Sequence, residues 1–230
     1  MADVRLFCFP YAGASGTIYR SWPEHLPRSV EVYSIQLPGR GSRIREHFYT
    51  RIEPLVSDLR QAIEPYLDRP SAFFGHSLGA LIAFELARIL VRDGLPSPLH
   101  LFLSGCPNPL YYGPITYNLA DAEFKRYLQD LNGISPELLA NNEAMKYFLP
   151  ILRADLEIVD TYKYLPGSLI ECSMTALGGT RDWQVPIETL GAWRDYTLGP
   201  FNLKLFVGDH FFLHTCQVDL LRMISDRVLA

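Results

Sequence analysis

The amino-acid sequence predicts an α/β fold in which helices flank a mostly parallel central sheet. Short segments rich in Val, Ile, Leu and Phe end at Gly or Pro, and helical patterns separate them along the chain. This order is typical of parallel strands joined by crossover helices. The chain has 230 residues, of which 48% are hydrophobic and 20% charged. We therefore expect a single domain over residues 1–230 with a sizeable core.

Several segments have the composition of buried strands, and two helices are predicted between them. The strands are Val4 to Phe9, Val30 to Leu37, Ala72 to Phe74, Leu99 to Leu103, Ile170 to Leu177 and Asn202 to Val207. Val56 to Ile63 has the apolar stripe of a surface helix. The segment from Leu78 to Arg92 has almost no polar face and precedes Gly94, a residue type that closes helices.

Residues 110–165 contain no convincing strand, and we expect a helical lid inserted within the domain. One stripe at helical spacing ends at Gly133, and a helix begins at Ser135 with Pro136 in its first turn. A second stripe has Pro150 at or near its start. The two stripes are Phe124, Tyr127, Leu128, Leu131 and Leu149, Leu152, Leu156, Val159. Additional core is the alternative interpretation of these helices.

The same segment is rich in aromatic residues, which favour a pocket for an acyl chain over one for a charged metabolite. They are Tyr111, Tyr112, Tyr117, Phe124, Tyr127, Tyr147, Phe148, Tyr162 and Tyr164.

Charge and cysteine content exclude several classes of function. The net charge is −4 with no run of Lys or Arg, so we expect no nucleic-acid partner. Glu85 and Arg88 interrupt the longest apolar segment, and the N-terminal residues lack a secretion leader, so no membrane contact is expected. The four cysteines are far apart and form no Cys-x-x-Cys pair, as in reduced, mostly buried cysteines of a cytoplasmic protein.

The segment Gly75 to Gly79 carries the strongest functional pattern. Its sequence, Gly-His-Ser-Leu-Gly, lies between a strand-like segment and the apolar helix. A strand, a Gly-x-Ser-x-Gly turn and a buried helix make a nucleophile elbow, which presents the Ser77 hydroxyl at the edge of the sheet. The glycines allow close passage of the backbones, and the helix amides face any oxyanion formed there. The alternative is an ordinary strand-to-helix turn with an exposed serine.

A serine nucleophile needs a base, and in this arrangement the chain order is serine, acid, histidine. Four of the six histidines precede the last strand: His25, His47, His76 and His100. His210 follows that strand directly, whereas His214 lies one helical turn further on. We assign the base to His210. The His-x-x-x-His pair has no third candidate ligand, so we expect no metal site.

Asp182 is the candidate acid, since it is the first carboxylate after the strand ending at Leu177 and follows a glycine-containing loop. Asp209 is the rival because it adjoins His210, but adjacent residues of an extended loop point apart. The oxyanion hole needs two backbone donors. We assign them to the amide of Leu78 and to that of Ala12, in the loop after the first strand.

Five sequence blocks resemble type II thioesterases of polyketide and nonribosomal peptide assembly lines, which have the α/β-hydrolase fold. The blocks are Phe-Pro-Tyr-Ala-Gly at 9–13, Leu-Pro-Gly-Arg at 37–40, the elbow at 75–79, Phe-Leu-Pro-Ile-Leu-Arg-Ala-Asp at 148–155 and His-Phe-Phe-Leu at 210–213. Two positions depart from the family pattern, because Ala14 and Asp209 stand where the family often has glycine. Neither departure removes a candidate catalytic group.

The resemblance implies an editing hydrolase that removes acyl groups from the phosphopantetheine arm of an acyl or peptidyl carrier protein. It implies Ser77 as nucleophile, Asp182 as acid and His210 as base. The resulting mechanism needs no cofactor or metal, and we expect a monomer. Carrier proteins are usually acidic, and a loop containing several arginines is a candidate docking surface or merely a solvated basic loop. These are Arg40, Arg43, Arg45 and Arg51.

Three other functions remain open from the sequence. A general esterase or acyl-CoA hydrolase would use the same residues without a carrier partner. A binding protein with the hydrolase fold would keep the site without turnover. Transfer of the acyl group to an acceptor other than water would need the same nucleophile.

Overall fold

The computed structural model describes residues 3–111, 113–167 and 169–229. This part of the chain contains six strands: β1 Val4–Phe9, β2 Val30–Ser34, β3 Ser71–His76, β4 His100–Ser104, β5 Ser173–Gly179 and β6 Phe201–Phe206. They form one sheet in the order β2-β1-β3-β4-β5-β6, and every neighbouring pair is parallel. The predicted α/β fold with a parallel sheet is confirmed.

Eight α-helices connect or flank the strands in the described residues. They are α1 Ile52–Ile63, α2 Leu78–Arg92, α3 Asp121–Asp130, α4 Pro136–Ala140, α5 Asn142–Thr161, α6 Ile187–Gly191, α7 Phe212–Thr215 and α8 Gln217–Val228. Short 3₁₀ segments lie at Gly16–Tyr19, Trp22–Glu24, Gly41–Arg43, Glu64–Tyr66 and Ala192–Tyr196. None of the described helices combines the length and apolar character that crossing a bilayer requires.

The core lies on both faces of the sheet, because successive strand residues point to opposite sides. Phe73 of β3 belongs to the layer covered by α1 and α2. Its neighbour Phe74 belongs to the opposite layer, where its ring lies 4.8 Å from that of Trp22 and α8 contributes Leu221. Helix α2 is buried on nearly all sides, as its apolar sequence predicts.

Two predicted strands extend three residues beyond the observed strand at one end. The segment predicted to run to Leu37 leaves the sheet after Ser34, although Leu37 is fully buried. The segment predicted from Ile170 joins the sheet only at Ser173, and Ile170 makes an isolated bridge to Thr197. An apolar segment is expected to be buried, but a buried residue need not form the backbone hydrogen bonds of a strand.

The helices α3, α4 and α5 stand between β4 and β5, where the sequence predicts a helical insertion. Four buried residues of α3 and α5 form a small core of their own: Phe124, Leu128, Met145 and Leu152. Ile158 of α5 instead packs into the main core. The insertion therefore contributes to the core of the domain and also has an apolar centre of its own. Tyr112 lies outside the described residues.

Two predicted boundaries in the insertion are wrong. Asn132, with φ 58°, adopts the left-handed conformation after α3, one residue before the predicted Gly133. Asparagine tolerates this conformation better than most residues. Pro150 lies inside α5, because that helix begins where the Asn141 side chain accepts a hydrogen bond from the Ala144 amide. Packing of the flanking turns offsets the hydrogen bond that an internal proline removes.

Candidate active site

Ser77 lies between the last residue of β3 and the first residue of α2, as the elbow pattern predicts. Its backbone has φ 53° and ψ −119°, a conformation that non-glycine residues rarely adopt. The Ser77 amide donates a hydrogen bond of 2.7 Å to the Ser104 carbonyl at the end of β4. The strained turn is therefore anchored to the neighbouring strand, and the hydroxyl is presented at the carboxyl edge of the sheet.

The two glycines of the elbow are required by contacts between backbones. A Cβ on Gly75 would lie 2.0 Å from the carbonyl oxygen of Gly79. A Cβ on Gly79 would lie 2.0 Å from the carbonyl oxygen of Phe9. Any side chain at either position would separate β3, α2 and the end of β1, which meet at the candidate nucleophile.

His210 and Asp182 form a hydrogen-bonded pair next to Ser77. The distance from His210 Nδ1 to Asp182 Oδ2 is 2.7 Å, and the two side chains are 8% and 1% exposed. The other carboxylate oxygen, Oδ1, accepts a bond of 3.0 Å from the Gln184 amide. Because Nδ1 faces the carboxylate, Nε2 is the ring nitrogen left for the serine, and Ser77 and His210 line the same cavity.

The rival carboxylate, Asp209, is engaged elsewhere. Its Oδ1 accepts a 2.9 Å hydrogen bond from the Phe211 amide, and its Oδ2 accepts one of 3.2 Å from the Asn132 side chain. Asp209 therefore joins the loop after β6 to the insertion, and Asp182 is the carboxylate that contacts the His210 ring.

His76 is a buried residue of the site that the sequence analysis gave no role. Its Nδ1 lies 2.9 Å from Ser104 Oγ, and its ring centroid lies 5.0 Å from that of His210. Burial, with a smaller contribution from the charge of His210, lowers the pKa of His76 well below its ordinary value. The imidazole is therefore neutral and supports the His210 ring from behind.

His214 and Gln184 are further polar residues near the site, and no motif marked either as functional. His214 Nε2 lies 3.0 Å from the Tyr11 hydroxyl. The side-chain nitrogen of Gln184 is buried without a hydrogen-bond partner in the described residues, and Gln184 lines the same cavity as Ser77 and His210. Within the same described residues, no group of three or more His, Cys, Asp or Glu side chains is placed to hold a metal ion.

The candidate oxyanion donors lie on either side of Ser77. Leu78 is the first residue of α2, and the first amides of a helix have no acceptor within it. Ala12 lines the cavity of Ser77 and His210. The next residue, Gly13, has φ 78° and donates its amide to Asp155 Oδ2 at 2.7 Å. A carboxylate of the insertion therefore holds the loop that carries the Ala12 amide.

Ser77 lines two small cavities. One, of about 60 Å³, is lined by Ser77, His210 and Ala12 together with residues of α3 and α5. It shares Tyr11, Ala12 and residues of the insertion with a wide apolar cavity of about 620 Å³. The other, of about 80 Å³, shares only Ser77 with the first among the lining residues. Its walls include Leu78, Leu81, Cys106, Val159 and Tyr162.

The predicted basic surface is only partly present. Arg40 is 5% exposed and forms a buried ion pair with Asp155, so its place in a docking surface is wrong. Arg43 pairs with Glu46, and Arg51 pairs with Glu157. Arg45 is exposed and has no ion-pair partner in the described part of the chain.

A parallel sheet with a serine elbow after β3, a carboxylate after β5 and its histidine partner after β6 defines an α/β-hydrolase. The model of the thioesterase domain family matches residues 4–228, and the chain belongs to this family.

Several relatives are similar over nearly the whole chain. Linear gramicidin dehydrogenase LgrE of Brevibacillus parabrevis is 42% identical and is aligned over 97% of this chain and 87% of its own. Thioesterase PikA5 of Streptomyces venezuelae is 37% identical, over 98% of this chain and 81% of its own. The solved structure of the RedJ thioesterase from the prodiginine pathway of Streptomyces coelicolor has a TM-score of 0.93 and 38% identity, with 98% of this chain and 91% of that chain covered.

Proposed function

We propose that the protein is a serine thioesterase that hydrolyses acyl groups from the phosphopantetheine arm of carrier proteins, as an editing enzyme of polyketide or nonribosomal peptide synthesis. The observation that carries the proposal is the 2.7 Å hydrogen bond between Asp182 and His210, together with the cavity that His210 and Ser77 line. PikA5 is named as a thioesterase and RedJ as a thioesterase of the prodiginine biosynthetic pathway, and both names support a thioester substrate.

The reaction takes two steps. Ser77 Oγ attacks the thioester carbon as its proton passes to His210 Nε2, and the amides of Ala12 and Leu78 stabilise the oxyanion. The C–S bond then breaks, and the proton on His210 moves to the departing thiolate. Water attacks the acyl-serine as one of its protons passes to His210, and His210 then gives that proton to Ser77 Oγ as the C–O bond to the serine breaks and the carboxylic acid leaves. Asp182 holds the imidazole in one tautomer and stabilises its protonated form.

The position of His210 indicates which cavity would hold the phosphopantetheine arm and which would hold the acyl group. The leaving thiol takes its proton from His210, so the arm must lie on the side of Ser77 that His210 lines. That side opens into the wide apolar cavity. The acyl group then occupies the other cavity of about 80 Å³ beside Cys106 and Tyr162, which suits short acyl groups. The buried side-chain nitrogen of Gln184 is a donor for a carbonyl on the arm side.

The mouth of the arm cavity suits a carrier protein. Exposed Ile44 belongs to its wall, and Arg43 and Arg45 flank that residue. An apolar residue beside Arg45, which has no ion-pair partner in the described residues, and beside Arg43, whose charge Glu46 partly offsets, complements an acidic surface. Reversing both charges should weaken hydrolysis on carrier protein and leave small thioesters unaffected. Equal loss on both substrates would contradict docking at this loop.

Hydride transfer, which the name of LgrE suggests for that relative, is not supported by this chain. Dinucleotide sites of the Rossmann type need a Gly-x-Gly-x-x-Gly motif directly after a strand. The loop after β1 reads Pro-Tyr-Ala-Gly-Ala-Ser-Gly, and the loop after β3 is the serine elbow.

The proposal is tested by presenting one short acyl group on a carrier protein, on coenzyme A and on a simple alcohol. Hydrolysis should be fastest on the carrier and should be abolished by Ser77→Ala, with mass spectrometry following the loss of the acyl group. Preference for the oxygen ester would favour a general esterase. Equal rates of hydrolysis on coenzyme A and on carrier protein would contradict a specific carrier-protein substrate. Absence of turnover together with failure of a phosphonate to label Ser77 would favour a binding protein.

A further inference from the structure

A buried ion pair joins the insertion to the loop after β2. Asp155 of α5 is 2% exposed and Arg40 is 5% exposed. The guanidinium binds the carboxylate through two nitrogens, with Nη2 at 2.7 Å from Oδ1 and Nη1 at 2.5 Å from Oδ2. The two residues belong to the sequence blocks at 37–40 and 148–155, which the proposed reaction does not use.

The same carboxylate holds the candidate oxyanion loop. Asp155 Oδ2 accepts a 2.7 Å hydrogen bond from the Gly13 amide, and Arg40 Nη1 donates a bond of 3.4 Å to the Ala14 carbonyl. The loop is also pressed against α5, because a Cβ on Gly13 would lie 2.5 Å from Leu152 Cδ2. The peptide groups directly after Ala12 are therefore fixed on one side by charged hydrogen bonds.

Stability alone is a weak reason for this arrangement. Replacing a buried ion pair by apolar side chains of similar volume is often neutral or stabilising, since both charges lose their hydration on burial. An apolar pair cannot, however, accept the Gly13 hydrogen bond. The Gly13 amide belongs to the peptide group between Ala12 and Gly13, so its bond to Asp155 fixes that plane and restricts the rotation of Ala12, whose own amide lies in the preceding peptide group.

We propose that Asp155 is a positioning residue, which holds the Gly13 amide so that the Ala12 amide faces the oxyanion, while Arg40 orients the carboxylate and supplies its counter-charge. The proposal rests on the proposed function. It explains why a helix of the insertion contacts a loop at the carboxyl edge of the sheet. The insertion would then support catalysis as well as cover the site.

The experiment compares three variants of the full chain. Asp155→Asn removes the charge, and the double variant Asp155→Leu with Arg40→Met removes the ion pair without leaving an unpaired buried charge. The matched control is Glu157→Gln. Glu157 lies on the same helix as Asp155, and this change breaks its more exposed ion pair with Arg51. We expect kcat to fall about 10- to 100-fold in the double variant, somewhat less than the loss of a whole oxyanion donor. The fall should be smaller in Asp155→Asn, because its carbonyl oxygen can still accept the Gly13 hydrogen bond. KM of these variants should change less than about threefold, and kcat of the Glu157→Gln control should also stay within about threefold of wild type.

Two further measurements separate positioning from a merely structural role. Affinity for an acyl trifluoromethyl ketone, whose serine adduct carries an oxyanion, should fall in proportion to kcat/KM. Amide hydrogen exchange at Gly13 should be slow in the wild type and faster in the double variant, at equal melting temperature. The exchange measurement does not depend on the reaction. It therefore tests the hydrogen bond between Gly13 and Asp155 even if the protein does not hydrolyse thioesters. Unchanged exchange, or a folded double variant with wild-type kcat, would overturn the proposal.

Discussion

Replacing Asp182 by Asn should abolish most of the activity without changing the fold. The carboxylate makes two hydrogen bonds, through Oδ1 to the Gln184 amide at 3.0 Å and through Oδ2 to His210 Nδ1 at 2.7 Å. The Gln184 amide can only donate, so it will retain the carbonyl oxygen of the new side chain. The NH₂ group of the asparagine must then face His210.

An NH₂ group donates to Nδ1, so the proton of the neutral imidazole moves to Nε2. In that tautomer His210 cannot accept the proton of Ser77, and it also loses the charge that stabilises the imidazolium. We expect kcat to fall by about 10³- to 10⁴-fold, equivalent to about 4 to 5.5 kcal/mol of activation free energy.

The assay is single-turnover hydrolysis of an acyl-pantetheine thioester, together with a thermal melt of each variant. Asp209→Asn is the matched control, because Asp209 adjoins the same histidine but bonds to Phe211 and Asn132. It should keep kcat within about threefold of wild type. The reasoning is refuted if the Asp182 variant retains more than about a tenth of the activity, or if Asp209→Asn loses as much.

Three other perturbations follow from the structure. Gly79→Ala should destabilise the fold by about 3 kcal/mol or more in urea unfolding, because its Cβ would lie 2.0 Å from the Phe9 carbonyl oxygen. Burial lowers the pKa of His100 from 6.5 to about 4, so the unfolded chain takes up the proton first as the pH falls. Stability should therefore drop between pH 6.5 and pH 4, by about 3 kcal/mol from this residue, and His100→Gln should flatten the pH dependence. Tyr162→Ala should enlarge the cavity beside Ser77 and shift kcat/KM towards longer acyl groups.

Each of these perturbations has a control within the chain. Gly191→Ala places a Cβ in open space within a helix and should be neutral or slightly stabilising. His25→Gln replaces an exposed histidine and is the control for removing an imidazole. Tyr162→Phe keeps the ring but loses the bond to Glu85, and should retain the acyl preference. An Ala variant of Tyr162 that slows all chain lengths equally would remove that residue from the acyl cavity.

Local sequence determined the elements that carry the chemistry. Ser77 could be placed because strand, turn and helix signals are adjacent in the chain, and α2 has its predicted bounds. His210 could be placed because only one histidine directly follows the last strand. Both deductions use backbone geometry that neighbouring residues impose, and so they need no knowledge of distant contacts.

Helix and strand boundaries were less predictable where tertiary contacts oppose the conformational preference of a single residue. Pro150 is a helix-breaking residue by its own chemistry, yet the Asn141 cap and the packing of α5 carry the helix through it. Leu37 is as apolar as the strand before it, but it is buried without pairing. In each case tertiary contacts outweigh the preference of the single residue.

The sequence by itself predicted a parallel α/β sheet, a serine at its edge, and a candidate acid and base in the required order. Only the tertiary structure decided which partners the charged groups chose. Arg40 is one of several arginines in its loop, and nothing local distinguishes it, yet it is buried against Asp155, 115 residues away in the chain. Such a pairing depends on how the insertion packs against the sheet edge, because the cost of burying a charge is offset only where a distant partner arrives.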